Sequence, residues 1–189
     1  MRICKKCCNF AYFFEEMPMN SFVYKDSTIA FVTAAVQTCL LIEQAGEMQR
    51  EELTEQLLRL LPILYLRTRL LESGEMMMDE EPQRFVTEED YNLTLIRIRD
   101  IFGSDDAYLD VFVDQGVYTD EVQTMYISEG LADIYQELKD MAASFQTEKE
   151  PIMNDAVILC REAFDEHWGQ KLLAVMRALH ALTHSEPED

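Results

Sequence analysis

Apolar residues recur at helical spacing along almost the whole chain. From about Asp26 to Ala45, Ile29, Val32, Val36, Cys39 and Leu40 fall on one stripe, and Gly46 marks its stop. From about Arg50 to Glu72, Leu53, Leu57, Leu60, Leu61 and Leu64 form a second stripe, with Pro62 inside it. A proline there removes a helical hydrogen bond and clashes one turn back, at a cost of about 3 kcal/mol, so a kink or break is expected. Ser73 to Val86 reads as a loop, with Gly74, Pro82 and a run of acidic residues. Its Met76, Met77 and Met78 read either as an adaptable contact surface or, the reading preferred, as packing against the bundle edge.

Thr87 followed by Asp90 resembles a capping box, and Glu88 and Glu89 suit the positive end of a helix dipole. The helix they open is expected to bury Tyr91, Leu95, Ile98 and Phe102 and to end at Gly103. Asp105 to Tyr118 is ambiguous. Leu109, Val111 and Val113 alternate as in a strand, whereas Tyr108, Leu109 and Phe112 fit a short helix. A lone strand would lack a partner, so the expectation is a short helix followed by a loop at Gly116.

The strongest pattern runs from Tyr126 to Leu182. Ile127, Leu131, Ile134, Leu138, Met141 and Phe145 alternate steps of four and three, and Trp168, Leu172, Val175, Leu179 and Leu182 do the same. Thr147 to Pro151 is short enough to force an antiparallel return, and Pro151 suits a helix's first turn. Equal rise on both arms then pairs residues whose numbers sum to about 298. That places Asp133 level with Asp165, Lys171 with Tyr126, and Ser128 and Glu129 with Gly169 and Gln170. His180 falls level with Tyr118. The chain therefore reads as all-α: an up-and-down helical bundle of four-helix-bundle type with an additional short helix. Residues 1–21 read as a poorly ordered N-terminal extension, 22–183 as a single domain and 184–189 as an acidic tail.

Composition narrows the function classes. The 189 residues can bury a core without disulfides or metals. With 36 acidic against 16 basic residues the net charge is −20, a balance that disfavours nucleic acid and anionic lipid and suits a basic partner protein, a cation, or simple solubility. Cys39 and Cys160 sit inside apolar helical patterns as reduced thiols. Cys4, Cys7 and Cys8 cluster in the N-terminal extension, but no second Cys/His pair follows at zinc spacing. No signal-peptide cleavage site follows the basic start, and no apolar run approaches the roughly 18 residues of a membrane span. A cytoplasmic protein is expected, with no cofactor.

ISEGLADIYQELKD from Ile127 to Asp140, HWGQKLLAVMRALH from His167 to His180, and LLPILYL from Leu60 to Leu66 resemble the bacterial domain-of-unknown-function family numbered 5063. The resemblance covers roughly Phe22 to Leu182. It implies an all-helical, four-helix up-and-down fold with no assigned activity. Family versions carry a second acidic residue after the ISE or LSD start, where this chain has Gly130; a carboxylate used there would be absent.

Candidate chemistry concentrates in the same arms. Glu129, Asp133, Glu137 and Asp140 share one sector, which could hold a hard cation but reads chiefly as a solvated face opposite the apolar seam. The Glu-x-x-His of helical di-metal sites is missing. His180 and His184 have a chelating spacing without the rest of a metal motif, so no metal site is assigned. Gly169 costs about 1 kcal/mol in mid-helix and needs a reason, either a close neighbouring helix or a close ligand. Candidate binding residues are Asp133, Tyr135, His167, Trp168, Gly169 and His180, and none is assigned a catalytic role. The leading reading is a non-catalytic acidic module for protein–protein interaction, with a groove beside Trp168 and His167. The alternatives are a metal- or small-ligand-binding enzyme using Asp133, Tyr135, His167 and His180, and an immunity-type neutraliser of a basic toxin. The oligomeric state is not specified by the sequence.

Overall fold

The computed structural model describes residues 21–114 and 117–184, with side chains at 111–121 left undescribed. The N-terminal cysteine cluster and most of the acidic tail lie outside these residues. After a 3₁₀ turn at Phe22–Tyr24, α1 runs over Asp26–Glu43, α2 over Arg50–Arg69 and α3 over Glu88–Phe102. A second long arm, α4 (Ile127–Phe145), returns through a short turn into α5 (Glu150–Ala163). Phe164–Trp168 forms a π-helical turn, and α6 (Gly169–Leu182) continues the arm.

The expected seams form the core. Ile127, Leu131, Ile134 and Leu138 of α4 are fully buried, as are Trp168, Leu172, Val175 and Leu179 of the returning arm. Each such side chain removed from water contributes roughly 1.5–3 kcal/mol. They pack with Phe31, Cys39 and Ile42 from α1 and Leu53, Leu57, Leu61 and Leu64 from α2. On α1, however, Ile29 and Leu40 of the expected stripe are exposed; the helix buries Thr28, Phe31, Ala35 and Thr38 instead. α1 is also the one described helix long and apolar enough to cross a membrane, with a mean hydropathy of 1.2. That corrects the expectation that no run comes near that length. Half of it is buried within the bundle, as a core helix would be.

Pro62 does not break α2, which runs from Arg50 to Arg69 with the proline on its exposed side. The capping box forms as expected: Asp90 N donates to Thr87 Oγ1 at 3.1 Å and Thr87 N donates to Asp90 Oδ2 at 3.0 Å. Pro151 lies in the first turn of α5. In the return, Glu148 adopts a left-handed backbone (φ 56°) and its N–H donates to Phe145 O.

The additional short helix is corrected to an antiparallel hairpin. β1 (Ala107–Asp114) pairs with β2 (Val117–Tyr126), with Ala107 opposite Tyr126 and Tyr108 opposite Met125, and the register shifts between Val111 and Val113. The partner strand was available in the sequence: Val117, Tyr118, Thr119, Val122, Thr124 and Tyr126 are β-branched or aromatic, and Gly116 precedes them. Asp106, almost wholly buried, fixes the hairpin's base by accepting from Ser128 N and Ser128 Oγ, both at 2.7 Å, in the first turn of α4. A carboxylate there satisfies an orphan donor and meets the positive end of the helix dipole.

The segment between α2 and α3 is an extended strap across α5 and α4. Asp155 accepts from Met77 N and Met78 N, Asn154 Nδ2 donates to Glu75 O, and Asp140 accepts from Phe85 N and Val86 N. Met76 and Met77 nonetheless point outward while Met78 is half-buried, so the run is tethered chiefly by its backbone and only Met78 has its side chain partly covered.

Candidate functional site

The hairpin does more than decorate the bundle. Its base stands off α4 and α6, and between them lies an open cleft of about 710 Å³. Tyr108 and Asp110 of β1, Met125 and Tyr126 of β2, Glu129, Gly130 and Asp133 of α4, and His167, Lys171 and Arg177 of the last arm line it. The walls differ in charge. Asp110, Glu129 and Asp133 stand on the hairpin and α4 side, and Lys171 and Arg177 stand on α6.

Two ion pairs cross between these walls. Lys171 Nζ donates to Asp133 Oδ2, and Arg177 Nη2 lies 2.6 Å from Asp110 Oδ1. Asp133 Oδ1 also accepts from Tyr91 Oη of α3 at 2.8 Å, so three helices meet at one carboxylate. Burial, then the hydrogen bond to Asp133, then the charges of Asp133 and Glu129 push the Tyr91 phenol well above its ordinary value. Tyr108 is raised as well, by burial first and then by Asp110, with Glu129 and Asp106 adding and Arg177 opposing. Glu129 therefore lies within electrostatic reach of two tyrosines, while both cations of the cleft are engaged by other carboxylates.

The six candidate residues do not form one site. Asp133 and His167 line the cleft. Tyr135 is buried elsewhere, its Oη donating to Glu43 Oε1 at 3.0 Å, an oxygen that also accepts from Lys139 Nζ at 2.6 Å. Trp168 is completely buried, and its Nε1 donates to Cys160 O at 3.0 Å, so it does not line a groove. Gly169 is required locally. Its N–H donates to Phe164 O across the π turn, and a Cβ would come within 2.5 Å of that oxygen and 3.1 Å of the Phe164 ring. His180 is exposed and stacks edge-on against His184, with ring centroids 4.8 Å apart; the Tyr118 side chain expected near it lies outside the described residues.

The expected register holds near the return and slips away from it. Met141 and Ser144 share a cleft with Ala156 and Cys160, as a sum near 298 requires. Further along, Asp133 meets Lys171 instead of Asp165, and Gly130 faces Val175 so closely that a Cβ would lie 2.5 Å from its Cγ2. The slip is close to two helical turns, and the extra residue of the π turn accounts for only a small part of it. Asp165 pairs with Arg69 and Arg161.

The carboxylate sector of α4 is not simply solvated. Asp133 is bonded by Tyr91 and Lys171, Glu137 pairs with Arg84, and Asp140 holds the strap. Among the described residues no group of three or more His, Cys, Asp or Glu side chains is disposed to hold a metal ion. Tyr108 and Asp110 escaped notice in the sequence because their segment read as a helix. Lys171 was placed, but opposite the wrong residue.

Fold and cleft together define a small helical-bundle protein carrying a hairpin-walled cleft. The chain belongs to the family described as a domain of unknown function, DUF5063, whose model matches residues 22–185. It is similar to a crystal structure of protein BF1032 from Bacteroides fragilis, with a TM-score of 0.79 and 36% identity over 89% of this chain and 99% of that one. No curated protein matches it.

Proposed function

We propose that this protein is a non-catalytic acidic module that binds a basic segment of a partner protein in the cleft between the hairpin and the α4–α6 face. One observation carries the reading: the open cleft, about 710 Å³, is lined by the carboxylates of Asp110, Glu129, Asp133 and Glu166 against only the two cations of Lys171 and Arg177, both of them already paired. An open cleft with an excess of carboxylates suits a basic side chain of a partner, and the net charge of −20 steers a basic segment toward it while repelling nucleic acid and anionic membrane. The buried free thiols of Cys39 and Cys160 support a reducing, cytoplasmic setting, and the similarity to a Bacteroides fragilis protein supports a bacterial one.

Amide chemical shifts in the full chain test the reading. Short arginine- and lysine-containing peptides are expected to move Gly130, Asp133 and Lys171, and glutamate-containing peptides are not. Equal response to both sets, or none at these residues, removes the proposal.

A further inference from the structure

The ion pairs of the cleft leave two of its four lining carboxylates without a cation, the exposed Glu166 and the half-buried Glu129, and only the second is partly withdrawn from water. Lys171 is engaged by Asp133 and Arg177 by Asp110, so the two cations of the cleft are already neutralised in place. Glu129 is half-buried in the first turn of α4, lines the same cleft, and makes no ion pair among the described residues. Two tyrosines share that lining. Tyr126 immediately precedes α4 and is 38% exposed, and Tyr108 is half-buried on the facing strand. A half-buried carboxylate that shares a cleft lining with two tyrosines matches the chemistry of one side chain better than any other. A guanidinium is planar, stays charged at any working pH, forks onto a carboxylate and stacks on a ring. A lysine ammonium would gain the charge but not the stacking plane. A metal ion would need more oxygen ligands than Glu129 offers alone.

Resting on the proposed function, we infer that Glu129, with Tyr108 and Tyr126 beside it, is the recognition point for an arginine side chain carried on the partner's basic segment. The Asp133–Lys171 and Asp110–Arg177 pairs then act as fixed walls that hold the cleft open to this one contact. They also prevent α6 from supplying an internal cation to Glu129.

The test uses the full chain and a fluorescent short peptide of alternating glycine and arginine, with lysine and citrulline versions of equal length. The arginine peptide is expected to bind about tenfold or more tighter than the citrulline peptide, which keeps the shape and loses the charge. It should also bind several-fold tighter than the lysine peptide. Glu129→Gln should abolish the arginine preference, Tyr108→Leu should weaken it, and Tyr108→Phe, which keeps the ring, should restore it. Glu162→Gln, on the exposed side of α5, should leave binding unchanged. Circular dichroism establishes that each variant is folded. If the arginine peptide still shifts the cleft amides but Glu129→Gln binds it as the wild type does, the assignment of Glu129 is overturned and the proposed function stands. Equal affinity for the lysine peptide overturns the choice of arginine. If no basic peptide perturbs the cleft, both readings fall together.

Discussion

Replacing Asp155 by alanine should free the strap between α2 and α3 before it unfolds the bundle. Asp155 is completely buried on α5, where it accepts from Met77 N at 2.7 Å, Met78 N at 2.8 Å and Asn154 Nδ2 at 2.8 Å. A hydrogen bond to a charged acceptor contributes about 1.5–3 kcal/mol net, so the two strap bonds alone are worth about 3–6 kcal/mol while the strap stays in place. The strap need not stay. Met76 and Met77 are exposed at 42% and 52%, so little apolar burial holds this stretch once its acceptor is gone, and the released N–H groups can turn to water. That escape reduces the expected loss to about 2–4 kcal/mol, which for a domain of this size lowers Tm by roughly 5–15 °C. Limited digestion with a glutamate-specific protease reads the local event, because Glu75 and Glu80 flank the anchored methionines. Cleavage there should accelerate well below the melting temperature, while the second anchor at Asp140 keeps Phe85 and Val86 docked. A variant that melts within about 2 °C of wild type and resists cleavage at Glu75 as wild type does would show that Asp155 does not hold the strap.

Three further outcomes are expected. Gly169→Ala gains about 1 kcal/mol of helix propensity but sets its Cβ 2.5 Å from Phe164 O, an overpacking cost of about 1–3 kcal/mol, so urea denaturation should show a net loss, and a gain would refute the packing argument. Burial pushes the Cys39 thiol up to about 12 and raises Cys160 as well, so at pH 8 peptide-resolved alkylation should label both only after denaturant is added. Tyr91 and Tyr135 are raised above the ordinary phenol value of 10.0, by burial first and then by their bonds to Asp133 and Glu43. Their folded state holds the proton longer than the unfolded chain does, so their contribution is complete below pH 10 and drains away as pH rises above it. Tyr91→Phe and Tyr135→Phe should each flatten the alkaline fall in denaturant stability, and an unchanged slope in both would count against the bonding pattern.

How much of this was legible in the sequence depended on which periodicity was asked of each segment. The α4 seam and the Trp168–Leu179 seam were readable because one apolar stripe decides a helix's buried face, and nothing competes with it. α1 was misread at Ile29 and Leu40 because a helix packed on several neighbours buries small residues such as Ala35 and Thr38, which a hydrophobicity stripe passes over. The hairpin failed for another reason. β1 alone could not be accepted without a partner, and the partner lay in a stretch assigned to the approach to α4. Half of the candidate site went with it, since Tyr108 and Asp110 face the cleft only as strand residues. Asp133 was singled out from the sequence and lines the cleft, but its partners Tyr91 and Lys171 are set by the tertiary crossing of three helices.

The π turn shows how one residue can couple core and cleft. Across the last arm the buried apolar positions run Met153, Val157, Cys160, Phe164, Trp168, Leu172, Val175 and Leu179. Their spacing is four and three except from Cys160 to Leu172, where three steps of four follow one another. On an uninterrupted α-helix that extra residue would swing everything beyond it by roughly 100°, carrying Leu172 and Val175 out of the core. The wider turn at Phe164–Trp168 absorbs it, so both halves of the arm bury the same face. Lys171 and Arg177 ride on the far half, and their approach to Asp133 and Asp110 depends on the same correction. The residue that permits the wide turn is Gly169, because only a glycine leaves room beside the Phe164 carbonyl. The mid-helix glycine therefore has a local structural reason at the π turn. It sets the rotation that brings a basic wall against an acidic one, and without that rotation the cleft would have only one side.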